Sequence, residues 1–232
     1  MKHSPRYDRL ISHPDIGETG MEKLRKCTVA LVGAGGLGTA AAIQLAMAGI
    51  GKMTLIDDDK VQASNLNRQL LFEPKDIGAA KAIQAAQKIC QLNPDVSCTG
   101  LTQRLTRANA VELLQGHDIL LDCTDSPTAR YYISEAATQM TVPWIFAGVY
   151  GDQGMMATFL PSQSPRFEEL FPPEQPWFPQ DCANSGVLGM TTTLMGTMQA
   201  REVMTLCLQP EKIVSGKLWM ADWNLKHLTG IK

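Results

Sequence analysis

The chain has 232 residues, 44% of them hydrophobic, with 21 basic against 23 acidic side chains. That length supports one sizeable core, or one large domain with a smaller appendage. The balanced charge argues against a nucleic-acid or membrane surface. The longest apolar run, residues 36–50, is too short and too rich in Gly and Ala to cross a bilayer. The opening stretch MKHSPRYDRLISHPD lacks an apolar signal core, so a cytoplasmic location is expected. Six cysteines are scattered with no CxxC pair, which in such a compartment reads mostly as reduced, buried thiols.

Strand-like and helix-like segments alternate along the chain. Thr28–Val32 is a β-branched and aliphatic run, Leu37–Ala48 a small-residue helix, and Met53–Asp57 a second strand. Asp76–Cys90 has helical spacing with Asp76 as a candidate N-cap, and Asn93-Pro94 ends it. Asp95–Gly100 predicts a strand, Thr106–Gln115 a helix, Asp118–Asp122 a strand, and Pro127–Met140 a helix with proline in its first turn. Pro143–Val149 and Met155–Leu160 are further strands. The alternation argues for an α/β, Rossmann-like, mainly parallel sheet with helices on both faces. Pro161–Asp181 then holds six of the 13 prolines and predicts a loop, since proline lacks an N–H and fixes φ. Val187–Leu208 predicts a long helix, and Ile213–Val214 and Lys217–Trp223 two short β runs in a C-terminal cap. The expectation is one domain: an N-terminal helical arm over 1–26, a nucleotide-binding core over 27–160, a proline-rich crossover loop over 161–181, and a helix with strands over 182–232.

Between the first strand and its helix lies GAGGLG, with Gly33, Gly35 and Gly38 in the G-x-G-x-x-G spacing and Gly36 beside them. One glycine permits the tight turn, one lets backbone N–H groups approach phosphate, and one lets helix pack on strand. The helix N-terminus adds unpaired donors and partial positive charge. Asp57 follows Gly38 by 19 residues at a strand end, where a carboxylate can bind ribose hydroxyls. This pattern points to a nucleotide without separating NAD from ATP.

The next segment, DDDKVQASNLNRQLLF, separates them. A dehydrogenase has no evident need for Asn65, Asn67, Arg68 and Gln69 just past its ribose acid. Nucleotidyl transfer does, because the leaving pyrophosphate must be gripped, and arginine grips it in a fixed fork. Lys81, 13 residues beyond Arg68 on a predicted helix, can reach an α-phosphate as a point charge, or be a solvated helix lysine. Asp125 in LLDCTDS ends the fourth strand at the carboxyl edge of the sheet. It suits Mg²⁺ beside a triphosphate, an N-cap for the helix at Pro127, or both.

With RYDR (Arg6–Arg9), DIGETG, GAGGLG, SNLNRQ, DIGAAK, LDCTDS and DCANSGVLG in this order, the chain resembles the MoeB/ThiF family. These bacterial relatives of ubiquitin-activating enzymes adenylate the C-terminal Gly-Gly carboxylate of a small ubiquitin-like sulfur-carrier protein. The resemblance implies ATP and Mg²⁺, with Gly33–Gly38 on the phosphates and Asp57 and Asp59 in the nucleotide site. Asn65, Arg68 and Lys81 would then contact the triphosphate, and Asp125 the metal. It implies a homodimer in which Arg9 reaches the partner subunit's triphosphate, and a sulfurtransferase as donor in molybdopterin, thiamine or a related sulfur-transfer pathway. Family members commonly carry a zinc on two CxxC pairs; neither pair is present here, so no structural zinc is expected. Ser126 stands where the family favours asparagine. Cys182, at the start of the last long helix, is open to two readings: a thiolate activated by the helix N-terminus, or a buried structural thiol. The alternatives are a NAD-dependent oxidoreductase resting on the glycine turn and Asp57, a docking module without turnover, and a relative acting on a peptide or RNA carboxylate.

Overall fold

In the computed structural model, residues 4–163, 165–173 and 186–222 are described, together with the backbone of 227–231. Two short helices, α1 (Asp8–Ile11) and α2 (Gly17–Lys26), lead into strand β1 (Thr28–Val32), helix α3 (Gly36–Ala48) and strand β2 (Lys52–Ile56). Helix α4 (Lys81–Leu92), strand β3 (Ser97–Leu101), helix α5 (Ala110–Leu114) and strand β4 (Ile119–Asp122) follow. Helix α6 (Pro127–Met140) precedes strands β5 (Trp144–Tyr150) and β6 (Gln153–Phe159). Helices α7 (Phe167–Leu170) and α8 (Gly189–Leu208) lead to strands β7 (Leu218–Asp222) and β8 (His227–Ile231).

The eight strands form one sheet in the order β3-β2-β1-β4-β5-β6-β7-β8. The first five are parallel, and β6, β7 and β8 add antiparallel strands to one side. The chain moves outward from β1 to β2 and β3, then crosses back to β4 on the other side of β1. The sheet therefore has its switch point between β1 and β4, where open α/β sheets place ligands.

Successive strand side chains point to opposite faces. Val29, Leu31, Met53, Leu55, Ile145 and Ala147 pack with α2, α3, α4 and α8. Ala30, Val32, Leu120, Trp144, Phe146 and Phe159 pack with α5, α6 and α7. Helix α3 has apolar residues on every side because it is buried between the sheet and α8. A β-carbon on Gly196 of α8 would sit 2.9 Å from that of Ala40, so small residues set this close crossing.

The core elements lie where their patterns place them, and helix Pro127–Met140 matches its predicted bounds. Four departures have local causes. The helix predicted from Asp76 starts at Lys81, because Gly78 takes φ +91° and breaks the run. Asp76 ends a 3-10 turn instead; its carboxylate accepts from the Glu73 N–H at 2.7 Å and pairs with Lys88. Helix α5 begins at Ala110 because the Asn109 side chain holds the Thr106 N–H and hydroxyl in a turn. The proline-rich stretch includes helix α7, whose Phe167 is buried among Tyr131, Trp144, Phe146, Phe159 and Phe171. Ile213–Val214 is not a strand: it follows a 3-10 turn at Pro210–Lys212, and the strand paired with β7 is β8.

Candidate functional site

Three neighbouring strands deliver the predicted residues to one edge. Val32 is in register with Ile56 of β2 and with Asp122 of β4, so the residues after each emerge side by side. The Gly33 N–H donates to the Ile56 carbonyl, and the Cys123 N–H to the Val32 carbonyl, each at 2.8 Å. The glycine turn, Asp57 and the turn at 123–126 thus share the carboxyl edge at the switch point.

Within the turn each glycine has a separate spatial reason. Gly33 has φ +98°, and a β-carbon there would lie 2.6 Å from the Cys123 carbonyl oxygen. A β-carbon on Gly38 would strike the carbonyl oxygen of Gly33, so turn and helix could not close. Gly36 faces Thr192 of α8, whose hydroxyl would lie 2.8 Å from an added β-carbon. Gly35 alone opens outward, with only the Gln69 amide nitrogen at 3.8 Å. It is also the N-cap of α3 and brings no side-chain cap, which leaves the first N–H groups of the helix for an external acceptor.

Asp57 helps build this turn. One carboxylate oxygen accepts from the Ala34 N–H at 2.7 Å and the other from the Asp59 N–H at 2.8 Å. Burial pushes its pKa up, opposed by those two bonds and by Lys81. Lys81 is the first residue of α4 and is nearly buried. Its ammonium meets Asp59 at 2.7 Å, and the Asp59 side chain is 68% exposed. One cation therefore sits inside the edge on a partner that is free to turn outward.

The SNLNRQ segment begins in a 3-10 turn, Ala63–Asn65, and its polar groups are partly used internally. The Asn65 side-chain carbonyl accepts from the Gln62 N–H at 3.0 Å. Arg68 donates to the Ser64 carbonyl at 2.8 Å and to Asn67 at 3.1 Å. Helix α8 starts against this segment: a β-carbon on Gly189 would lie 2.6 Å from the Asn67 carbonyl oxygen. Gln69 is buried and its side-chain oxygen has no hydrogen-bond partner, an expensive arrangement away from a ligand or water.

Asp125 is exposed, and the two readings of its position separate here. The N-cap of α6 is Ser126, whose hydroxyl accepts from the Ala129 N–H at 3.3 Å, so the Asp125 carboxylate is not spent on capping. Its hard oxygen donors suit Mg²⁺, as do those of Asp57, Asp58 and Asp59, which lie within 4.8 Å of one another. Arg9 is exposed on α1. Its arm is fixed by the adjacent Tyr7, buried with its hydroxyl accepting from Asn93 at 2.8 Å, and by Arg6, which donates to the Leu92 carbonyl at 3.2 Å. Cys182 lies outside the described residues.

The sequence pointed to Asp125 but not to the groups behind it. Asp122 is fully buried; one oxygen accepts from the Thr124 N–H at 2.9 Å and its hydroxyl at 2.8 Å. Arg130, nearly buried, donates to the Thr124 carbonyl at 3.2 Å and holds its Nε 3.8 Å from the other Asp122 oxygen. Gln199 of α8 donates to the Asp122 carbonyl at 2.7 Å and the Ile145 carbonyl at 3.2 Å. The signal available was two acids three apart at a strand end, of which only the outer was taken as functional.

Two cavities of about 530 and 300 Å³ open elsewhere, against α6, α7 and the segment after β6. Neither is lined by the glycine turn, Asp57, Lys81 or Asp125. The placed charges and helix terminus are the stronger guide to chemistry here.

Residues 7–231 match the ThiF family. The chain is 38% identical over 217 residues to the sulfur carrier protein ThiS adenylyltransferase of Escherichia coli, covering 94% of this chain and 86% of that protein. It is 34% identical over 223 residues to the sulfur carrier protein adenylyltransferase of Thermus thermophilus, covering 94% and 82%. A probable molybdopterin-synthase adenylyltransferase of Porphyra purpurea is 36% identical over 213 residues, 91% of this chain but only 56% of that protein. The chain thus spans most of some relatives and about half of others. Among solved structures, PaaA is 25% identical with TM-score 0.80, covering 98% of this chain and 72% of that one. Escherichia coli MccB with ATP is 19% identical with TM-score 0.82, covering 99% and 72%, and shows the fold alone.

Proposed function

The chain belongs to the ThiF family, and on that premise we propose that it is an ATP-dependent adenylyltransferase. Its substrate is the C-terminal Gly-Gly carboxylate of a ubiquitin-like sulfur-carrier protein, and its products are the acyl-adenylate and pyrophosphate. The observation that carries this reading is the convergence, at one switch point, of an uncapped helix N-terminus beside Gly35, a buried Lys81 and an uncommitted Asp125. Hydride transfer draws only on the glycine turn and Asp57.

The residues divide the work as follows. The α3 N-terminus binds phosphate oxygens through its N–H groups, and Asp57, with lone pairs left beyond its two backbone bonds, faces the ribose. Arg68 turns its guanidinium from the Ser64 carbonyl to the β- and γ-phosphates. Lys81 exchanges Asp59 for an α-phosphate oxygen and stabilises the charge that builds as the carrier carboxylate attacks in line. Asp125 would hold Mg²⁺, which when bound neutralises the departing pyrophosphate. Little covalent work falls to the protein; alignment and charge placement do most of it. Arg9 completes the partner subunit's site in a homodimer, a sulfurtransferase consumes the adenylate, and the protein works in the cytoplasm.

Carrier-dependent exchange of labelled pyrophosphate into ATP tests the reading. Lys81→Ala and Asp125→Asn should each lower exchange by about 100-fold or more, the scale of losing one placed electrostatic group. Exchange near the wild-type rate in both variants would remove these residues from the mechanism. Exchange absent from the wild-type protein with every Gly-Gly carrier would remove the activity itself.

A further inference from the structure

Asp125 projects from a four-residue turn, 123–126, that has no regular structure of its own, yet that turn is anchored on three sides. From beneath, the buried Asp122 carboxylate takes both the N–H and the hydroxyl of Thr124. From α6, Arg130 donates to the Thr124 carbonyl, and its guanidinium lies 5.0 Å over the Phe146 ring. From α8, Gln199 donates to the Asp122 carbonyl and accepts from the Cys123 thiol at 3.4 Å. The same turn touches the phosphate side, because the Cys123 carbonyl fills the space that a Gly33 side chain would need.

A buried ion pair is a poor source of stability. Its desolvation offsets much of its attraction, and here the 3.8 Å separation makes no hydrogen bond. The second Asp122 oxygen is buried without any hydrogen-bond partner. An apolar pair of similar volume could fill the same space but would leave the N–H, hydroxyl and carbonyl of Thr124 without these partners, so what the charges supply is the geometry of that residue. Every backbone and side-chain polar group of Thr124 is bound to Asp122 or Arg130, which fixes the backbone from which Asp125 presents its carboxylate.

We propose that Asp122 and Arg130, braced by Gln199, are positioning residues that aim the Asp125 carboxylate at the metal-bound pyrophosphate beside the glycine turn. Neither touches the nucleotide; both act through Thr124. This rests on the reading of Asp125 given above, and the test separates the two.

Three variants, Asp122→Asn, Asp125→Asn and the double, are compared by titrating ATP calorimetrically with Mg²⁺ and with a chelator, alongside carrier-dependent exchange. The wild-type protein should bind ATP more tightly with Mg²⁺ than without. Asp122→Asn keeps an oxygen for the Thr124 bonds but removes the charge that seats Arg130 on the Thr124 carbonyl, and should lose most of that gain and about 10- to 100-fold in exchange, since small misplacements of a catalytic group carry losses of that order. The double variant should be no worse than Asp125→Asn, because two residues acting through one carboxylate are not additive. Thr124→Val, which removes only the hydroxyl between Asp122 and the turn, should give an intermediate loss with an unchanged fold. It stands in if Asp122→Asn does not fold.

Losses that multiply in the double variant, or a full Mg²⁺ gain in Asp122→Asn and Thr124→Val, would overturn the positioning role while leaving Asp125 in place. A full Mg²⁺ gain in Asp125→Asn would overturn the parent reading and the positioning role together.

Discussion

Gly35 and Gly38 look equivalent in the sequence, and the structure gives them opposite duties. An alanine at Gly38 would place its methyl in hard contact with the Gly33 carbonyl oxygen, a backbone atom that cannot move without reopening the turn. The expected cost is about 3 kcal/mol or more, the upper range of overpacking penalties. For a chain of this size that lowers the melting temperature by roughly 6–12 °C. An alanine at Gly35 meets only the Gln69 amide at 3.8 Å, an ordinary contact, and φ there is negative at −85°. Stability should change by no more than about 1 kcal/mol. On the proposed reading, its methyl would crowd the α3 N-terminus that receives the phosphate oxygens. Losing one charge-assisted hydrogen bond of about 1.5–3 kcal/mol weakens ATP by roughly 10- to 100-fold. Thermal melts and ATP calorimetry on both variants test this. A stable Gly35→Ala protein that binds ATP as tightly as the wild type would refute placement of the phosphates at that glycine. A Gly38→Ala protein of wild-type stability would refute the packing argument.

Two further outcomes follow from the core and the buried acid. Phe167→Ala should destabilise the fold by about 3–5 kcal/mol, as burial among five aromatic neighbours implies; a loss below about 1 kcal/mol in denaturant melts would mean that α7 is only a surface turn. Burial raises the Asp122 pKa to about 6 against the opposing pull of Arg130, with Asp125 adding to the rise. The folded state therefore holds this proton more tightly than the unfolded chain, and stability from this group falls as pH rises through 6. Melts at pH 5 and pH 7 should show a smaller loss on raising pH in Asp122→Asn than in the wild type. Equal losses would contradict the burial argument.

How much of this was legible depends on how far apart in sequence the interacting groups lie. β1, α3 and β2 were readable because their apolar runs and glycine breaks are contiguous, and α6 because Pro127 fixes its first turn. The start of α4 was misplaced because Gly78 interrupts a pattern that otherwise continues through it. Helix α7 was hidden among prolines, since only the folded chain shows Phe167 and Phe171 reaching the sheet. β8 was missed because HLTGI carries too little apolar alternation to stand out; its pairing with β7 is tertiary. The edge residues Asp57, Lys81 and Asp125 were legible because strand ends and helix starts place them. The Asp122–Arg130–Gln199 support was not, because Gln199 reaches Asp122 across 77 residues of chain. Gly36, grouped with the phosphate glycines, is also where α8 packs through Thr192, a role that only the folded chain shows.

The central claim is that a carrier's terminal carboxylate becomes bonded to AMP on this sheet edge. The most direct measurement is the intact mass of a Gly-Gly-terminated carrier incubated with the protein, ATP and Mg²⁺. The account predicts a carrier heavier by one AMP, modified at its last glycine, with pyrophosphate released and no modification when Lys81 is alanine. An unmodified carrier, with ATP bound and the protein folded, would contradict it.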